Sequence, residues 1–217
     1  MEHTIYSPTP TPPKIREGLK ALVLPDCFSQ VIHNNSLPTT LQSLSILNPA
    51  YNNSLNSNNL PTSLTSLRCN SKNIKLDLSA YESIKELKVD GDSIIHFPPN
   101  LKSLEIKLKC KDEKKDAIEY KFHTVNKHLI KKLVIHTNRY VYVNKILNIG
   151  FPNLQYLSTN LLHSIVPTSV QELDIKERPD ICQLEQYVSP NIKEIHLKLN
   201  SKILKEISSP LHGMYVP

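Results

Sequence analysis

Tryptophan is absent, methionine occurs twice and glycine only four times in 217 residues. None of the glycines, Gly18, Gly91, Gly150 and Gly213, is followed by lysine, and their separation leaves no G-x-G-x-x-G. A phosphate-cradling P-loop and a dinucleotide-binding turn are both excluded by counting. No stretch approaches the roughly 18 uninterrupted apolar residues that a membrane helix needs, and mean hydropathy is −0.31. The opening MEHTIYSPTPTPPK has no basic segment followed by an apolar one, so no secretory signal is expected and a cytoplasmic location is.

Chemistry-bearing patterns are scarce too. Cys27, Cys69, Cys110 and Cys182 form no C-x-x-C pair, which argues against a zinc site or a disulfide framework and for reduced, buried thiols. The nine histidines make no H-E-x-x-H or H-x-H, and the nearest pair, His123 and His128, lacks further ligands at metal spacing. There is no G-x-S-x-G elbow, and the carboxylates Asp112 and Glu113 sit in a charge run without the apolar surroundings that make a general acid. The chain is expected to be non-enzymatic, with no cofactor and no metal.

What the chain has instead is a repeated phrase. LPTTLQSLSI from Leu37 is answered by LPTSLTSLRC from Leu60, and the aliphatic triplet inside it, L-x-x-L-x-L, recurs nine times. The triplets begin at Leu19, Leu41, Leu64, Ile84, Leu101, Ile130, Leu154, Val170 and Ile192, the seventh carrying polar Thr159 in third place. First positions lie 22, 23 and again 22 residues apart where the pattern is most regular, 17 and 16 where it is tight, and 29 across the middle. A period of about 20–29 residues belongs to leucine-rich repeats. Seven prolines, including Pro38, Pro61, Pro152 and Pro167, stand two to six positions before a triplet, where the chain must be extended and no ladder donor is needed.

A unit of this kind cannot bury its apolar face alone. The second and third aliphatic residues alternate along a short strand and point inward, while those between point out; stacking parallel strands buries the inward rows against one another. The expected fold is a leucine-rich-repeat-type solenoid with one short parallel strand per repeat and a mostly irregular or extended convex side with little helix. Its expected parts are a proline-rich N-terminal arm over 1–13, a solenoid over 14–207 with an irregular insertion at 107–129, and a tail over 208–217. Within the insertion Ile118, Tyr120 and Phe122 alternate with polar residues as a strand would, and Val141 and Val143 in RYVYV do the same.

The outward positions form the candidate working face. They run from Ala21 and Val23 through Ser43, Ser45 and Ser66 to Val134, Ser158, Asp174 and His196, and they are neutral at first and of alternating sign from Arg68 onward. The proposed partner-binding residues are Arg68, Glu86, Lys88, Glu105, Lys132, Tyr156, Glu172 and Glu194, with Arg68, Lys88, Lys132 and Tyr156 as anchors. A mixed-sign surface suits a protein partner, whose charges can be matched for register, better than a polyphosphate of one sign. The net charge of +6 supports the alternative, nucleic-acid or anionic-surface binding.

The interval before each Pro-x-x-Leu adds a family signature. Phe28-Ser29-Gln30-Val31-Ile32 followed by Leu37-Pro38 is matched one unit later by Tyr51-Asn52-Asn53-Ser54-Leu55 followed by Leu60-Pro61. This resembles the FNIP repeat, a relative of the leucine-rich repeat with an aromatic-Asn start and an Ile-Pro close. The resemblance is closest over Leu19 to Cys69, and it implies a repeat scaffold that binds another protein. The asparagine position of ordinary leucine-rich repeats, three residues after the third aliphatic, is met by Cys27, Asn138, Asn200 and few others, so no continuous ladder of side-chain amides is expected there.

Overall fold

The computed structural model describes residues 17–71, 74–90, 94–108, 126–137, 140–160, 165–176 and 186–197. The expected N-terminal arm, the tail, most of the insertion and its Ile118 to Phe122 strand lie outside these residues. Along the chain the described strands are β1 (Ala21–Leu24), β2 (Ser43–Ile46), β3 (Ser66–Cys69), β4 (Lys75–Asp77), β5 (Glu86–Asp90), β6 (Ile94–His96), β7 (Ser103–Leu108), β8 (Lys132–Thr137), β9 (Tyr156–Thr159), β10 (Glu172–Ile175) and β11 (Glu194–Leu197).

Each of the nine triplets becomes a strand, and the nine strands form one parallel sheet in the order β1-β2-β3-β5-β7-β8-β9-β10-β11. Its register carries the sequence phase from strand to strand. Leu22 lies opposite Leu44, Leu44 opposite Leu67, and Leu67 opposite Leu87. The same column continues through Leu104, Leu133, Leu157 and Leu173 to Ile195. A second inward column runs from Leu24 to Leu197, and it accommodates Cys69 and Thr159, both buried, in place of aliphatics. Cys27, outside the triplets, is exposed where a buried thiol is expected, because no inward column claims it. Each fully buried leucine in these rows contributes roughly 1.5–3 kcal/mol relative to exposure. The aliphatic repeat is therefore the core of the molecule.

Parallel neighbours need a long crossover, and the turn that ends each crossover explains the prolines. In the phrases 38–41, 61–64 and 167–170 the proline carbonyl accepts the N–H of the first aliphatic residue three positions on, at 3.0–3.2 Å. In 151–154 and 189–192 the same bond starts from Phe151 and Ser189, and proline moves to the second place of the turn. A fixed φ near −65° suits that place.

The residue just before the first aliphatic holds the units together by another route. Thr40 Oγ1 donates to the Leu19 carbonyl at 3.1 Å, Ser63 Oγ to Leu41 at 2.6 Å, and Ser83 Oγ to both Thr62 and Leu64 at 2.7 Å. Asn100, Asn153 and Asn191 donate their amides to Glu82, His128 and Thr168 at 2.8–3.1 Å. Every one of these bonds crosses from one unit to the one before. Among the described residues a side-chain ladder is thus present, built of hydroxyls and amides just before the triplet; Asn138 and Asn200, at the expected place after it, lie outside these residues.

The return path is more regular than the sequence implies. β4 and β6 pair in parallel as a small second sheet, which Leu55 extends by a bridge to Leu76. Residues Tyr140–Asn148 form a helix, α1, where the alternation of Val141 and Val143 predicts a strand. The correction has a clear cause: Val143, Ile146 and Leu147 are buried and follow the i, i+3, i+4 spacing of a helix face. Gly150, at φ +84°, stops the helix and returns its N–H to the Leu147 carbonyl at 3.0 Å.

Candidate functional site

Two outward columns cross the nine-stranded sheet. The first aligns Ser66, Glu86, Ser103, Lys132, Tyr156, Glu172 and Glu194; the second aligns Arg68, Lys88, Glu105, Val134, Ser158, Asp174 and His196. All eight proposed partner-binding residues fall in these columns. They share one face because successive strand residues alternate sides and every pair keeps the same register.

The columns are not uniformly open. Val134 and Ser158, expected on the working face, occupy outward positions but are buried. Their neighbours close over them. Lys132 Nζ lies 4.7 Å from the centre of the Tyr156 ring, and Tyr156 and Ser158 both donate to Asp174 Oδ2, at 3.3 and 3.0 Å. Lys176 approaches the same oxygen at 4.0 Å. This cluster draws in Asp174, which the sequence did not single out for binding. Burial, followed by the nearby Asp174 charge, pushes the Tyr156 hydroxyl pKa up, so it remains a donor.

A second cluster surrounds Glu105. Lys88 forms an ion pair with Glu105 Oε1, and His136 Nε2 approaches the same oxygen at 2.9 Å. His136 reaches it from the adjacent strand, at a register position beyond the triplet. Burial would raise the Glu105 pKa, but the hydrogen bonds from Lys88 and His136, with their charges, outweigh it and leave the carboxyl below its ordinary value near 4.5. Stability from such a depressed carboxylate is present above the unfolded value and is lost as pH falls through the folded one. Glu105→Gln is therefore expected to shrink the drop in melting temperature between about pH 6 and about pH 3. Matched thermal melts of the variant and the parent chain check this, and an unchanged acid limb counts against it.

At the far end His196 lies 3.6 Å from both Glu172 and Glu194. The ligand atoms of the three fall within 4.8 Å of one another. The three side chains are at least partly exposed, and exposed acidic groups of this kind are common without a metal ion. Sequence spacing hides this arrangement, since Glu172 is a full unit away from the other two.

From β2 to β8, taking in the Lys88–Glu105 pair, the sheet carries an open notch of about 360 Å³. Ser45, Ser66 and Ser103 leave the space, and Arg68, Lys88 and Lys132 border it together with Glu86 and Glu105. Arg68 donates through Nε to the Asn70 side chain at 3.3 Å, which leaves its guanidinium without a carboxylate among the described residues. Five of the eight proposed residues, Arg68, Glu86, Lys88, Glu105 and Lys132, thus meet at one depression. Tyr156, Glu172 and Glu194 lie beyond it.

No helix among the described residues is long and apolar enough to cross a membrane. Phe28 and Tyr51, the aromatic positions of the two best-matched units, stack with ring centres 5.9 Å apart and planes 22° apart. Asn48 and Asn53 tie the same two units by donating to the carbonyls of Phe28 and Ser29, at 2.8 and 3.1 Å. The aromatic half of the signature is therefore an inter-unit contact. No curated protein and no solved structure matches the chain. The family model described as FNIP Repeat matches residues 28–72, the segment that holds these stacked aromatics and the two PTTL and PTSL turns. Residues 28–72 of the chain thus carry an FNIP repeat.

Proposed function

We propose that this chain is a non-enzymatic scaffold, a leucine-rich-repeat-type solenoid of FNIP kind that binds another protein through the exposed face of its nine-stranded sheet. One observation carries the reading. Residues drawn from four separate units, Arg68, Glu86, Lys88, Glu105 and Lys132, converge on one open notch whose serine floor leaves room for a partner's side chains. Alternating charge around it sets the register of a protein surface better than it receives a uniformly charged polymer. A cytoplasmic setting goes with this reading. Burial pushes the Cys69 thiol up to about 11, which keeps it protonated and unreactive within the core.

Filling the notch tests the proposal. Ser45→Trp with Ser103→Trp places two bulky, uncharged side chains over its floor without touching the inward columns. Affinity capture with the full chain is expected to lose its partner in this variant while the circular dichroism spectrum is unchanged. Retention of every captured protein would move the binding surface elsewhere.

A further inference from the structure

Along the leading rim of the sheet, one position before the outward columns, runs a third aligned row. It consists of the residues that follow each first aliphatic: Lys20, Gln42, Thr65, Lys85, Lys102, Lys131, Gln155, Gln171 and Lys193. Their alignment is fixed by the backbone. The carbonyl of each of the first eight accepts two N–H groups from the next strand, as Lys85 does from Lys102 and Ser103 at 2.8 and 2.9 Å, and Lys102 from Lys131 and Lys132 at 2.8 and 3.1 Å. Five of the nine are lysine and none is acidic. The outward columns hold charges of both signs, so inspecting them alone conceals this row of one sign.

The central part of this rim is wholly cationic. Lys85, Lys102 and Lys131 occupy consecutive rungs, separated by roughly 4.8 Å per strand. Like charges on neighbouring strands oppose each other and weaken the sheet. Yet among the described residues no carboxylate pairs with Lys102, Lys131, Lys132 or Arg68. Lys85 donates to the backbone carbonyl of Glu82, not to a carboxylate. The adjoining notch adds Arg68, Lys88 and Lys132 against Glu86 and Glu105, and Lys88 already engages Glu105. The three rim lysines and the notch together hold six cations and two carboxylates.

We infer that the rim at Lys85, Lys102 and Lys131, with the adjoining notch, receives an extended acidic segment of a partner protein, a run of Asp and Glu lying across the strands. This names the chemistry of the partner and rests on the docking-surface reading above. An extended chain rises about 3.3 Å per residue, so roughly three to five acidic residues span the three lysine rungs. Single-stranded nucleic acid fits less well, because such binding relies on aromatic platforms for the bases. The outward columns of β1 to β8 hold no Phe, Tyr or Trp, and the Tyr156 ring beyond them is taken by Lys132. Glu86 and Glu105 inside the notch also oppose a continuous phosphate chain, whereas a peptide can place neutral or basic residues beside them.

The test is fluorescence anisotropy of the full chain with a labelled 12-residue Asp-Glu peptide, beside a Ser-Gly peptide, an oligolysine and a 12-nucleotide oligothymidylate. The acidic peptide is expected to bind in low salt, and the triple variant K85E/K102E/K131E to weaken it at least 10-fold. The milder K102Q/K131Q is expected to weaken it less and to flatten its salt dependence, which keeps the test intact should the triple variant fold poorly. Equal affinity of parent and K102Q/K131Q overturns the inference, as does tighter binding of oligothymidylate than of the acidic peptide. If a captured partner is lost in S45W/S103W but unaffected by K102Q/K131Q, the docking surface stands and its acidic ligand falls. If the acidic peptide binds through the lysines while S45W/S103W retains every partner, the rim stands and the notch reading falls.

Discussion

Leu104→Ala is expected to destabilise the chain by about 3–4 kcal/mol, several times the loss from the same truncation at the edge of the sheet. Leu104 is fully buried, and its register partners Leu87 and Leu133 are buried on either side. Truncation removes the side chain's transfer free energy and leaves a cavity between two rungs whose separation is fixed by their backbone ladders. The walls therefore collapse little, which places the loss in the upper part of the range for such substitutions. A folded domain of this size is stable by only about 5–15 kcal/mol, so a large fraction of the total is at stake. The control is Leu22→Ala, in the same column but on β1, the last strand on that side among the described residues, where the side chain is only partly buried. That variant should lose about 1 kcal/mol, since less apolar area leaves water. Urea unfolding distinguishes the two by their midpoints, and equal shifts would mean that the column is not a graded stack with a protected centre.

The contrast between those two leucines reflects what periodicity conveys. An aliphatic triplet at a near-constant offset specifies a strand, its inward face and its neighbours, and all nine triplets are found paired in chain order. Periodicity is blind to what lies between triplets. YVYV reads as an alternating strand over four residues, but Val143 belongs to a longer pattern with Ile146 and Leu147 that ends at Gly150. The small sheet of β4 and β6 escapes notice because strands of three residues carry too little alternation to register. The working face is legible in outline only. Alternation places Arg68, Lys88 and Glu105 in one column, but it treats Val134 and Ser158 as open when Lys132, Tyr156 and Asp174 close over that part of the sheet. The lysine rim is hidden for a different reason. Its residues lie outside the alternating strand positions, and only the doubled hydrogen bonds to their carbonyls show them to be aligned.

Thr40→Val, Ser83→Ala and Asn153→Ala together are expected to cost about 2–3 kcal/mol, close to the sum of the three single losses. Each removes one rung of the ladder that joins a turn to the unit before it. Thr40 and Ser83 make part-buried bonds, to Leu19 and to Leu64, and a net contribution of about 1 kcal/mol each is reasonable for such bonds. The Asn153 amide is exposed where it meets the His128 carbonyl, so water replaces it more readily and about 0.5 kcal/mol is expected. The three positions are two and three strands apart, roughly 10 Å and 14 Å at the usual strand spacing. At that distance and with no shared acceptor, their effects add. Replacing the adjacent pair Ser63 and Ser83 should not behave this way, because Ser63 caps the Leu41 carbonyl while Ser83 caps Thr62 and Leu64 on either side of it. Loss of both frees one turn at its two ends, so the double variant should exceed the sum of its singles. Denaturant titrations of the two sets decide whether the ladder is a row of independent clasps broken only by adjacency. Additivity in both sets would show that each turn holds its shape without its neighbours.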